Sequence, residues 1–203
     1  MQSRTRRTRY SQAARELLRD SLLDAACEEL RTRRWADITM ADIALAAGVS
    51  RQTLYKEFGS RADFAQALVL READRFLDSV ERTLVQHRND PARALAAAFD
   101  LYLGAAGENP LVRAIVSGEG AGELLPLMTT HGEPLLERTA GRLRTLLRSG
   151  WPLMRDDDAE LLSEFLVRLA ISYTALPGGP ASLSANSIAR LLGPYLERLA
   201  GRD

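Results

Sequence analysis

The sequence predicts an all-α protein in which a small N-terminal three-helix unit is followed by a larger helical domain. Three observations carry this. Alanine, leucine and arginine dominate the 203 residues, whereas the Val, Ile and Thr runs that favour strands are scarce. Apolar residues recur at three- and four-residue spacing over long stretches, the period of a helix with one buried face. Near the start, two short helical patterns separated by a glycine turn stand between two longer ones.

Taken in order, residues 1–12 read as a basic arm, with Arg4, Arg6, Arg7 and Arg9 and no acid. From Ala13 to Arg33 the positions Leu18, Leu22, Ala26 and Leu30 repeat every four residues and predict an amphipathic helix. Thr39 is placed to cap a short helix from Met40 to Ala47, because its hydroxyl can accept from a first-turn N–H. Gly48 follows, where the chain must turn with positive φ. Ser50 caps a second short helix through Phe58, and Gly59-Ser60 ends it. Ser60 with Asp63 predicts a capping box at the start of a long helix to about His87. Helices of two turns do not stabilise themselves, so Ile38, Ile43, Ala44, Ala47, Val49, Leu54 and Phe58 are expected to pin them by packing.

Beyond residue 88, Asn-Pro, Gly and Pro-Gly clusters separate further helical patterns. The last two lie near 156–176 and 184–200, with Pro194 expected to bend the final helix or thin its hydrogen bonding. The domain change is expected inside the long helix, giving residues 13–62 and 63–203.

Composition removes several classes of function. The single cysteine, Cys27, excludes an internal disulfide. One Cys and two His, His87 and His131, leave no Cys/His metal site, and no nucleophile stands beside a base. The Asp156-Asp157-Asp158 run sits at a helix start, where acids complement the helix dipole. No enzyme activity, metal or cofactor is expected. No apolar run approaches the ~20 residues that span a bilayer, and no signal-peptide core follows the basic start, so a cytoplasmic protein without a membrane partner is expected. Net charge is zero, yet residues 1–60 carry 11 basic against 8 acidic residues and the remainder 16 against 19. The positive end fits nucleic-acid contact.

The stretch from Thr39 to Phe58 carries the function. A helix-turn-helix needs small residues where its helices cross, supplied by Ala44 and Ala47, and a turn residue tolerant of positive φ, Gly48. Val49 is the apolar residue that fills the angle. The second helix then needs a polar outer face over an apolar underside. Arg51, Gln52, Thr53, Tyr55 and Lys56 point outward, and Leu54 and Phe58 inward. Such a helix enters the major groove of DNA by its N-terminal end.

At Thr39, Ile43-Ala44, Ala47-Gly48-Val49-Ser50, Thr53-Leu54-Tyr55 and Phe58, with Arg61 after them, the sequence resembles the TetR family of regulators over about residues 15–75. The resemblance implies a DNA-binding head in which Thr39, Ser50, Thr53, Tyr55 and Arg61 hold phosphates while Arg51 and Gln52 reach bases. The chemistry agrees, since Arg reads guanine O6 and N7 and Gln reads adenine N6 and N7. Glu57 departs from the family, which often has His or Tyr there. It is expected to point away or to pair with Arg61 or Arg51, with Lys56 supplying the lost contact.

The family also implies a homodimer on double-stranded, palindromic operator DNA, recognition helices about 34–36 Å apart or a multiple of that, and a small-molecule effector. The last two helices carry the apolar stripes suited to a dimer interface: Leu162, Phe165 and Leu169 on one, Leu192, Tyr195 and Leu196 on the other. Packing within the monomer is the competing use. The ligand pocket is expected in residues 91–176, lined by Phe99, Tyr102, Leu103, Leu111, Ile115, Leu124, Leu127, Met128, Trp151 and Tyr173. Arg113 is a candidate carboxylate clamp, suited to an acyl ligand, and His131 a second polar candidate. Gly118 to Gly122 lacks the strand and Lys-Ser/Thr of a phosphate loop and reads as a flexible joint. The reading is a ligand-responsive repressor released by a lipophilic or acyl effector. An activator, or a ligand-binding helical module without DNA binding, are the alternatives the residues leave open.

Overall fold

The computed structural model describes residues 2–117, 122–176 and 184–201, with the side chains of residues 2–11, 106, 107 and 116 outside that description. All regular structure among the described residues is helical: α1 (Gln2–Glu29), α2 (Met40–Ala46), α3 (Arg51–Phe58), α4 (Arg61–Gln86), α5 (Pro91–Glu108), α6 (Pro110–Val116), α7 (Leu124–Met128), α8 (Glu133–Gly150), α9 (Asp156–Ala175) and α10 (Ala185–Leu199), plus a 3-10 turn at Trp35–Asp37. The chain divides within α4, between Leu68 and Val69, into two compact units. The expected boundary was 62/63.

In the first unit, helix α1 begins at Gln2, so residues 2–12 continue the helix instead of forming a separate arm. The helix ends at Glu29, four residues before the expected Arg33, and a turn leads to Trp35. Leu22, Ala26 and Leu30 from the predicted stripe are buried, together with Trp35, Ile38, Ile43, Leu54, Phe58 and Phe64. Phe58 and Phe64 meet edge to face at 4.7 Å between ring centroids. Thr39 caps α2 in a reciprocal box with Asp42: Thr39 Oγ1 accepts from Asp42 N, and Asp42 Oδ2 accepts from Thr39 N at 2.8 Å. Ser60 and Asp63 form the predicted box at α4, with Asp63 Oδ2 accepting from Ser60 N at 3.1 Å. Gly48 takes φ 70°, the left-handed geometry the turn between α2 and α3 requires.

In the second unit, α10 packs on α5 and α8 on α9. Gly193 makes the first contact close, since a Cβ there would stand 3.0 Å from Ala92 Cβ. Pro194 sits one residue on, inside α10, which nevertheless runs to Leu199. Arg138 pairs with Asp74 at 2.6 Å and Arg142 with Asp78, so α8 lies along α4 in the same direction. Trp151 Nε1 donates to Arg88 O at 3.0 Å and anchors the end of α8 to the α4–α5 turn. Among the described residues no helix is long and apolar enough to cross a membrane.

Candidate nucleic-acid interface and cavity

The outer face of α3 is built by its own periodicity. Arg51, Gln52 and Lys56 are exposed, Thr53 and Tyr55 half-buried, and Leu54 and Phe58 buried. Ser50 Oγ caps the helix by accepting from Thr53 N at 3.1 Å. Arg51 lies over the Tyr55 ring, 5.3 Å from its centroid, and its Nη2 reaches the phenol oxygen at 3.4 Å. Thr39 is exposed at the start of α2, but both its N–H and its hydroxyl donate to Asp42. Those hydrogen bonds hold the Asp42 carboxyl below its ordinary range.

Two residues have partners that the sequence did not name. Arg61 turns into the head: its guanidinium lies 4.4 Å from the Trp35 ring centroid, donates to Trp35 O at 2.8 Å and also donates to Ile38 O. It therefore ties α4 to the loop before α2. Glu57 pairs with neither Arg61 nor Arg51. Its Oε2 accepts from Arg15 Nε of α1 at 2.6 Å, and Arg19 Nη1 donates to Glu57 O at 2.6 Å while stacking on Phe58. The acid is bound to the supporting helix, 11% exposed.

The second unit holds a partly open cavity of about 210 Å³. Its wall on α4 runs from Val69 through Glu72, Ala73, Phe76, Leu77 and Val80 to Leu84. At 1.5 Å per residue that is about 22 Å of helix. On α8 the wall runs from Leu135 through Thr139 and Leu143 to Leu147, about 18 Å by the same rise. The cavity is thus a slot drawn out along parallel helices. Leu84, Leu95, Leu147 and Trp151 close one end. Glu72, Asn109, Leu111 and Val112 stand at the other.

Of the expected pocket residues, Phe99, Tyr102, Leu111, Ile115, Met128 and Trp151 line the slot. Leu103, Leu124, Leu127, Arg113 and Tyr173 do not. Leu124 is wholly buried elsewhere in the core. Arg113 and His131 are exposed, so the slot has no Arg113 clamp. Tyr173 instead packs edge-on against Tyr102, 6.3 Å between centroids. The Tyr102 hydroxyl donates to Ala170 O at 2.6 Å and also meets Thr174 Oγ1, and burial pushes its phenol above the ordinary value. The α4 face lay outside the expected 91–176 lining; its apolar residues at 69, 73, 76, 77, 80 and 84 were the available signal. The Gly118–Gly122 joint lies, apart from Gly122, outside the described residues.

The two apolar stripes on α9 and α10 are shared out differently from expectation. Leu162 and Leu196 are buried in their own chain, and Leu169 and Leu192 pack partly against the same core. Phe165 is exposed, Tyr195 is half-buried with Arg198 over its ring, and Leu161 and Leu191 are 65% and 74% exposed.

A helix-turn-helix unit followed by a helical, cavity-bearing unit is the architecture of a DNA-binding transcription regulator. Residues 22–68 match the bacterial regulatory proteins of the tetR family, and residues 90–194 match the bacterial tetracyclin repressor C-terminal domain. This chain belongs to the TetR family of transcriptional regulators, whose members bind DNA, dimerise and bind small-molecule ligands. It is 40% identical over 193 residues to the HTH-type transcriptional regulator AlkX of Mycobacterium tuberculosis, covering 95% of this chain and 92% of that protein. It is also similar to the crystal structure of the TetR family repressor AlkX from Dietzia sp., implicated in biodegradation of n-alkanes. The TM-score is 0.80 at 33% identity, over 90% of this chain and 96% of that one. The fold further matches RolR in complex with resorcinol, with a TM-score of 0.60 at 20% identity over 94% and 96% of the two chains.

Proposed function

We propose that this protein is a repressor that binds a palindromic operator as a homodimer and leaves it when a lipophilic or acyl, chain-like effector fills the slot. The observation that carries the reading is the slot itself: mostly apolar, and about 20 Å long by the helical rise of its walls. That shape suits an extended hydrocarbon chain better than a compact ring. The likeness to a repressor implicated in n-alkane biodegradation points the same way.

On the DNA side, Arg51 and Gln52 read bases and Ser50, Thr53, Tyr55 and Lys56 hold phosphates. Arg61 serves the head's interior, and Thr39 reaches phosphate only by giving up a bond to Asp42. The dimer forms on the outward faces of α9 and α10, with Leu161, Phe165 and Leu191 at its centre. Effector binding favours a form whose two heads are wrongly spaced for the operator, and thermodynamic linkage then makes operator binding weaken the effector. Helix α4, which carries residues of both units, is the lever.

The test is fluorescence anisotropy of the protein on DNA upstream of its own gene, across a salt series, against scrambled DNA of equal length. Two protomers per site, with affinity falling steeply as salt rises, are expected. Equal and weak binding to both DNAs would overturn the DNA-binding reading. Leu161→Asp should leave a monomer in sedimentation and abolish operator binding; a dimer that survives it would place the interface elsewhere.

A further inference from the structure

Among the described residues, the slot's lining is mostly apolar, with Asn109, Thr139 and Thr174 as polar members and Glu72 as its charged one. Glu72 is 12% exposed, and its two carboxylate oxygens are used differently. Oε1 accepts from Arg71 Nη2 at 3.2 Å and from Arg75 Nη1 at 3.3 Å. Oε2, the other oxygen, accepts from Asn109 Nδ2 at 2.8 Å. Asn109 is committed in turn, because its Oδ1 accepts from Leu111 N and Val112 N and so caps α6. Glu72 and Asn109 line the slot, whereas Arg71 and Arg75 do not. Thr139, on α8 one residue after the Arg138 that pairs with Asp74, brings a hydroxyl to the same end.

We propose that Glu72 is the head-group anchor of the effector site and that it selects a chain ending in a neutral hydrogen-bond donor, such as a primary alcohol, over chains ending in a carboxylate or an ammonium. The inference rests on reading the slot as the effector site. Three electrostatic facts decide among head groups. A carboxylate placed here would face the largely buried carboxylate of Glu72, where like charges repel. An ammonium would have to be desolvated to reach a carboxylate whose Oε1 already accepts from Arg71 and Arg75. A hydroxyl carries no charge to desolvate. It donates to a remaining lone pair of Glu72 Oε2, and its own oxygen accepts from the Thr139 hydroxyl or the second Asn109 N–H. Hydrogen bonds to an ionised acceptor are the stronger kind.

The anchor also has a route outward. The Glu72–Asn109 bond joins α4 to the N-cap of α6, and a ligand hydroxyl on Oε2 shares that oxygen with Asn109. Head-group binding thus acts on a junction four residues along α4 from the limit of the first unit at Leu68.

The experiment is calorimetric titration of the full-length protein at neutral pH with 1-octanol, octanoate and octylammonium, which share one chain length and differ only at the head. The expected order places the alcohol at least about tenfold ahead of either ion, the equivalent of about 1.4 kcal/mol. Glu72→Gln should raise octanoate affinity relative to octanol by a similar factor, because the repelling charge is gone while the side-chain shape is kept. Octanoate binding as tightly as octanol in the unaltered protein would overturn the inference without the variant, and would leave the slot standing as a chain site. Failure of all three probes, and of their longer homologues, in a protein that still binds operator would overturn the effector-site reading itself.

Discussion

Arg51, Gln52, Leu54, Lys56 and Phe58 occupy one eight-residue helix, and the helical period alone sends three outward and two inward. The slot of the larger unit is assembled instead from helices α4 to α10, with wall residues as distant in sequence as Val69 and Leu196. In the head, a functional face is a local property. In the larger unit it is a property of packing, where the same leucine can be wall, core or dimer surface according to which helix lies opposite. The polar groups differ in the same sense. Those of α3 are exposed or half-buried and placed by the helix that carries them, whereas Glu72 and Asn109 bond across 37 residues of sequence.

The sharpest way to break this contrast is at Trp35, 1% exposed at the centre of the head. Trp35→Ala should cost about 3–5 kcal/mol and abolish operator binding, while chain binding in the slot persists. Denaturant unfolding followed by circular dichroism, with calorimetry on the same sample, checks both halves. Loss of chain binding as well would mean that the two units do not fold independently.

Arg61→Gln comes next. Its guanidinium donates to two backbone carbonyls, so its loss should lower stability by about 1.5–3 kcal/mol with the salt dependence of operator binding unchanged. A salt slope shallower by about one, with stability intact, would return Arg61 to the phosphate backbone. For Gln52→Ala, the loss should appear in discrimination: about 1–3 kcal/mol at one base position of the operator, with binding to scrambled DNA unaltered. Competition against single-base operator variants measures it.

Smaller effects belong to the ion pair and the cap. Glu57→Gln removes the partner of Arg15, which is itself 59% exposed, so the stability change should stay below about 1 kcal/mol. Operator binding should tighten at low salt, since Arg15 gains the freedom to meet phosphate. Asp42 supplies a pH test. Its carboxyl is depressed in the folded state by the Thr39 bonds, so its stabilising contribution is complete above the unfolded value of about 3.9 and is lost as pH falls through the lower folded value. Asp42→Asn should flatten that acid limb of the melting curve, read by circular dichroism between neutral pH and strong acid.

Much of the head was legible because its signals are short. Thr39, Gly48, Ser50 and Ser60 each act on backbone groups within three or four residues, and each cap and turn stands where the sequence put it. The helical continuation of residues 2–12 was not, because a run of arginines carries no apolar stripe by which to extend a helix. Glu57 was recognised as out of place, but its partner Arg15 lies 42 residues away on another helix, beyond any local pattern. Arg61 shows the same limit: a basic residue at a helix start reads as a phosphate ligand until the Trp35 ring and two carbonyls are seen beneath it.

The sequence by itself determined the all-helical class, the helix-turn-helix and the inward turn of Leu54 and Phe58 beneath Arg51, Gln52 and Lys56 on α3, because helical period, capping hydroxyls and a glycine turn are governed by neighbours along the chain. Tertiary structure alone decided that Leu162 and Leu196 face inward while Leu161 and Leu191 face out, that Arg113 stays outside the slot, and that α4 forms its longest wall. An apolar stripe states only that a face must be covered. Which surface covers it, and whether a gap is left there for a ligand, is settled when several helices compete for the same contacts.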